Sequence, residues 1–130
     1  MRMTSNIDIY AILLPGPTMV CNMDFNSTEF EQVITSPNYP SNYPHSLTNC
    51  GWTIKGSQDG RSSVIYFQDF RIEQSWDQVR LYLDGNLHGT FSGSSMTDES
   101  FPFTQEARVT LTTDSNIHYR GFRATFHVGW

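Results

Sequence analysis

Residues 78–85 read QVRLYLDG. Val79, Leu81 and Leu83 alternate with Arg80 and Tyr82, the two-residue period of a strand that turns one face to a core. Asp84-Gly85-Asn86 closes the run with turn chemistry, since Asp, Gly and Asn adopt turn conformations at low cost. The same grammar extends outward in both directions. Upstream, FEQVIT (30–35) reads as a strand ended by Ser36-Pro37, and CGWTIK (50–55) puts Cys50, Trp52 and Ile54 on one face. SVIYFQDF (63–70) is a further β-prone run. Downstream, ARVTLTT (107–113) turns Val109 and Leu111 inward. GFRATFHV (121–128) sets Phe122, Ala124, Phe126 and Val128 against an outward Arg123, Thr125 and His127. Residues 92–105 are serine-rich, hold Asp98 and Glu99, and read as an exposed loop. Short alternating runs separated by polar turns, with no long helical period, predict an all-β domain of two packed sheets.

The chain has 130 residues and no internal repeat or low-complexity linker, which implies one domain. Its formal net charge is −5, from 13 acidic and 8 basic residues. A nucleic-acid binder would carry a basic stripe, so that class is set aside; a basic partner or a cation fits the balance. Residues 9–14, IYAILL, are too short to insert in a membrane. Asp8 before them and Pro15 after them make a poor signal-peptide core. An N-terminal extension, a chain that starts after a removed signal, and a piece of a larger protein all fit. Cys21 and Cys50 are the two cysteines. With no CxxC and no Cys/His cluster they do not suggest zinc. One disulfide and two free thiols stay open. A bridge would stabilise by on the order of 3–4 kcal/mol in the chain-entropy model and needs an oxidising compartment. Asn26-Ser27-Thr28 is the one glycosylation sequon.

Residues 36–44 read SPNYPSNYP. The prolines block a helix and disfavour a central strand, and they bias the preceding Asn-Tyr toward extended geometry. The segment is therefore expected to be a stiff, extended crossing whose tyrosines offer apolar bodies and hydroxyl tips. SPNYPSNYP, then CGWTI, IYFQDFRIE, DQVRLYLDG, TLTTDS and GFRATF, in that order, resemble the CUB domain, an extracellular module. The resemblance covers about residues 21–128, so the domain is expected over 21–130, with 1–20 as an N-terminal extension. It implies a jelly-roll-like sandwich of two mainly antiparallel five-stranded sheets. It also implies that Cys21 and Cys50 form the family's first disulfide. The family's usual second pair is absent: the corresponding stretches are Gln74-Ser75-Trp76-Asp77 and Phe91-Ser92-Gly93, and the first loop is shortened.

Three acids stand at strand ends: Glu73, Asp77 and Asp114. Spacing brings Glu73 and Asp77 together around one short loop. Asp114 joins them through the resemblance, which implies that acids at these positions hold one Ca2+ at the sandwich tip and that Tyr43 supports the site. Ser115 and Asn116 follow the last acid and offer further oxygens. Ca2+ takes roughly six to eight oxygen ligands in mixed shells, and three carboxylates without a cation would repel one another. The resemblance further implies that such a tip receives a lysine or arginine from a partner protein, a contact that weakens with salt.

His45, His88, His118 and His127 are scattered, without HxH or HExxH spacing, and His127 is expected at the surface. Gly93-Ser94-Ser95 is not a nucleophile elbow. No catalytic residues are expected. Trp52 is expected in the core beside the disulfide. Trp76 is expected to pack into the space of the missing second disulfide, with exposure and stacking on a sugar or protein partner as the alternative, and Trp130 to dock on the sandwich or on a neighbour. The leading reading is a secreted, calcium-dependent protein-binding module. Calcium-independent recognition of a glycan or glycoprotein, a structural subunit of an oligomeric assembly, and a regulatory part of a protease are the alternatives.

Overall fold

The computed structural model describes residues 12–13, 19–44, 50–74, 76–114 and 119–129, with only the backbone of 12–13 and 19–20. Ser115, Asn116, His45, His118 and Trp130 lie outside the described residues. Near the N-terminus β1 (Ile12–Leu13) pairs antiparallel with β2 (Met19–Val20). The remaining strands are β3 (Asn22–Asn26), β4 (Gln32–Thr35), β5 (Cys50–Lys55), β6 (Ser63–Arg71), β7 (Gln78–Leu83), β8 (Asn86–Phe91), β9 (Ser100–Phe103), β10 (Glu106–Thr112) and β11 (Gly121–Val128). They form an all-β sandwich. One sheet runs β3-β5-β10-β7-β8 and the other β4-β11-β6-β9. Among the described residues only the β3–β5 pairing is parallel.

The alternating runs become strands as their periodicity predicts, and their inward sets make the core. Trp52, Ile54, Val79, Leu81, Val109 and Leu111 come from one sheet; Ile34, Ile65, Phe67, Phe122, Ala124 and Phe126 from the other. Trp52 meets Phe122 edge-on across the layers, with ring centroids 5.1 Å apart. Asp84 and Gly85 both have positive φ, 52° and 87°, which is the two-residue hairpin turn that joins β7 to β8.

Five expectations are corrected. The second sheet has four strands among the described residues, not five. Residues 36–44 beside it hold Pro37, Pro40 and Pro44, which lack the N–H that another ladder would need. The first Asn-Tyr-Pro triplet turns where an extended crossing was expected. Asn38 sits at φ 68°, a region Asn tolerates, and Ser41 N–H donates to the Asn38 carbonyl at 2.7 Å. Residues 92–105 are not simply a loop: β9 pairs with β6, and Met96 and Phe103 are buried. Pro102 within SFPF reads against a strand, but β9 is an edge strand, where proline is accommodated. His127 is buried, because β11 runs between β4 and β6 and not at an edge. Trp76 is 70% exposed; its loop is too short to fold the indole back.

The gap left by the missing cysteine pair is closed by backbone. Ile72 N–H donates to the Gly93 carbonyl at 2.9 Å, and Gly93 N–H returns the bond at 2.8 Å. Gln74 lies over Gly93, where an added Cβ would stand 2.8 Å from Gln74 Nε2.

Candidate metal centre

The C-terminal end of β6, the start of β7 and the C-terminal end of β10 meet at one pole of the sandwich. A bulge in β6 sets the first of these. The β6–β11 register slips between Arg123 and Ala124, so Gln68 is an extra residue, and the inward sequence shifts from Ile65 and Phe67 to Phe70 and Ile72. Bulges re-aim the residues that follow them, and here Glu73 follows.

Glu73, Asp77 and Asp114 converge at this pole. One carboxylate oxygen from each lies within 4.8 Å of the other two. Glu73 and Asp77 are buried, Asp77 completely, and Asp114 is half-buried. Glu73 Oε1 accepts from the N–H of Trp76 at 2.8 Å and from that of Asp77 at 3.3 Å. Asp77 Oδ1 accepts from Asp114 N–H at 2.8 Å. The Tyr43 hydroxyl donates to Asp77 Oδ2 at 2.5 Å and accepts from Glu73 N–H at 3.1 Å. Tyr43, itself buried, thus ties together the ends of β6 and β7. It is held by its own N–H, which donates to the Tyr119 carbonyl at 2.9 Å.

Burial raises the Asp77 carboxyl above its ordinary value; Asp114 and Glu73 push the same way, while the bonds from Tyr43 and Asp114 N–H oppose them. Burial and the bond to Asp77 raise the Tyr43 phenol as well, so it remains a donor at neutral pH. Among the described residues the donor set is all hard oxygen. That suits a hard divalent ion such as Ca2+ and not zinc or copper. The structure therefore brings together Glu73, Asp77, Asp114 and Tyr43; Ser115 and Asn116 fall outside the described residues.

A second polar cluster beside this pole went unnoticed in the sequence. Asp69 accepts from Tyr39 hydroxyl at 2.6 Å and from Arg120 Nε and Nη2, each at 2.6 Å. Arg120, first among these partners, holds the Asp69 carboxyl below the usual carboxylate range. Arg71 stacks over the Tyr119 ring at 5.0 Å. The two tyrosines of SPNYPSNYP therefore serve two acids, Tyr39 with Asp69 and Tyr43 with Asp77. Only the second acid of IYFQDFRIE, Glu73, stood at a strand end; Asp69 sits inside β6, where no turn marks it.

The CUB domain family model matches residues 21–126, and the chain belongs to that family. Cubilin of Rattus norvegicus is 32% identical over 107 residues, which is 76% of this chain and 3% of that protein. Protein SpAN of Strongylocentrotus purpuratus is 32% identical over 118 residues, 85% of this chain and 19% of that protein. The chain thus spans only 3% and 19% of the length of these relatives. Among solved structures, the full extracellular region of zebrafish Gpr126/Adgrg6 superposes with a TM-score of 0.75 at 25% identity, over 85% of this chain and 15% of that one. The MASP-1 CUB2 domain bound to Ca2+ superposes with a TM-score of 0.67 at 24% identity, over 79% of this chain and 96% of that one. The Cys21–Cys50 disulfide is formed, with Cα atoms 5.1 Å apart. CUB domains are non-enzymatic, extracellular protein-interaction modules.

Proposed function

We propose that this chain is a secreted protein-binding module whose acidic pole, ordered by one Ca2+, receives a lysine or arginine side chain of a partner protein. The observation that carries the reading is the convergence of three carboxylates from separate strand ends within 4.8 Å, two of them buried. At an effective dielectric of about 20, each like-charged pair at that spacing repels by on the order of 3–4 kcal/mol. A bound divalent ion would supply the opposing charge. The chain's own residues hold the donors ready: Tyr43 and Asp114 N–H fix Asp77, and the N–H groups of Trp76 and Asp77 fix Glu73. Asp114, the half-buried member, is the carboxylate best placed to face a basic side chain. A neighbour of the same fold, the MASP-1 CUB2 domain, is bound to Ca2+; the support here comes from this chain's own donor set.

Calorimetric titration of Ca2+ into the wild type and into Asp114→Ala tests the ion. Saturable binding in the wild type that the substitution removes supports the reading, and negligible heats in both would end it. Titration of a lysine-rich peptide with Ca2+ and with chelator then tests the partner class. Binding should appear only with the ion and should weaken as salt rises.

A further inference from the structure

The pole opposite the acids carries a different constellation. It is built from the end of β3, the turn after β5 and the end of β11: Ser27 N–H donates to the Lys55 carbonyl at 2.8 Å, and Val128 N–H to the Thr28 carbonyl at 2.7 Å. Strand alternation at the end of β3 buries Ser27 and turns both Asn26 and Thr28 outward. The amide and the hydroxyl of the Asn26-Ser27-Thr28 sequon are thus exposed on the same side of the backbone. Beyond them Phe30 N–H donates to Thr28 Oγ1 at 3.2 Å, and the chain turns with Phe30 left 80% exposed. Asn26, Thr28 and Phe30 border one open groove of about 440 Å³, which Gln58 and Arg61 also line. That volume falls within the range of about 300–1,000 Å³ typical of small-molecule sites. Ser27 also borders it, and its buried hydroxyl has no hydrogen-bond partner among the described residues.

We propose that Asn26 carries an N-linked glycan whose first sugars lie in this groove against the face of Phe30. Attachment joins the Asn26 side-chain nitrogen to the anomeric carbon of an N-acetylglucosamine. The amide gives up one proton, and the pyrophosphate of the polyprenyl-linked oligosaccharide donor departs with its lipid. A pyranose ring has an apolar face of C–H groups that packs on an aromatic ring, and a rim of hydroxyls. Phe30 supplies the first surface, while Gln58 and Arg61 supply polar partners for the second. Arg61 is held in position by Glu29 at 3.0 Å and Asp59 at 2.8 Å. The glycan occupies the pole away from Glu73, Asp77 and Asp114, so it leaves their pole open. The inference rests on secretion and is independent of the ion.

The test uses the full chain secreted from a eukaryotic host. Peptide:N-glycosidase should remove a glycan mass and convert Asn26 to Asp, and Asn26→Gln should lack that mass from the start. An intact mass unchanged by the enzyme would overturn the proposal. Phe30→Ala should lower the melting temperature of the glycosylated protein by roughly 2–6 °C and leave that of Asn26→Gln unchanged. It should also abolish the upfield ring-current shift of the first N-acetyl methyl in NMR spectra. Equal melting shifts in both backgrounds, or an N-acetyl methyl at its free position in the wild type, would overturn the placement on Phe30. Calcium titration of Asn26→Gln should match the wild type; an altered affinity would overturn the separation of the two poles.

Discussion

Tyr43 joins two segments of the acidic pole through a single hydroxyl. Its hydroxyl donates to Asp77 and accepts from Glu73 N–H, both inside the protein. Tyr43→Phe keeps the ring and removes both bonds. Leaving buried polar atoms unsatisfied costs about 1–3 kcal/mol each, so we expect urea denaturation to show a loss of at least about 1 kcal/mol, with weaker Ca2+ binding in the same variant. An undiminished midpoint would show that water replaces the hydroxyl. Asp69 gives a pH signature of its own. Arg120 and Tyr39 depress its carboxyl below the unfolded value of about 3.9. Its contribution is therefore present above that value and is lost as pH falls through the lower, folded one. Acid titration of the melting temperature should show a component below pH ~4 that Asp69→Asn removes. Identical acid limbs in the two proteins would mean that other carboxylates dominate.

Among the elements, β5 and β6 do most to organise the molecule. Cys50 opens β5 and ties it through Cys21 to the chain entering β3, at the same end of the sandwich as the acids. The bond spans a sequence separation of 29, and in the chain-entropy model a loop of that size is worth about 3–4 kcal/mol. Replacing both cysteines by serine should lower stability by an amount of that order, measured by denaturant unfolding, while the far-ultraviolet spectrum keeps its β character. A loss below about 1 kcal/mol would place the stability in the sheets alone. The second staple is dispensable because the paired Ile72 and Gly93 backbone bonds already join the segments that it would connect.

For the molecule as a whole, the sandwich separates two chemistries by its length: carboxylates at one pole, the sequon and its groove at the other. Ligand binding to the folded state alone stabilises it by mass action, about 2.7 kcal/mol at 100 times the dissociation constant. Ca2+ at that excess should raise the melting temperature by several degrees over chelator, and Asp77→Asn should abolish the difference. The same rise in the variant would locate the ion elsewhere.

Core positions follow the hydrophobic period, which is a local property, so QVRLYLDG, CGWTIK and GFRATFHV declare their strands and inward faces in the sequence itself. The two acids around the short loop, Glu73 and Asp77, are adjacent for the same local reason. Asp114 and Tyr43 are distant along the chain; family resemblance named them, and only the folded chain shows them meeting the other two. Tertiary structure also decided what local pattern could not carry. β3 pairs in parallel with β5 and so has no hairpin turn to announce it. β9 tolerates Pro102 because it lies at an edge, and His127 is buried because β11 does not. The β6 bulge, which shifts the inward register before Glu73, depends on the partner strand β11. Periodicity lies within a segment and can be read there. Register, edge position and the meeting of remote side chains belong to pairs of segments, and they exist only once the sheets have formed.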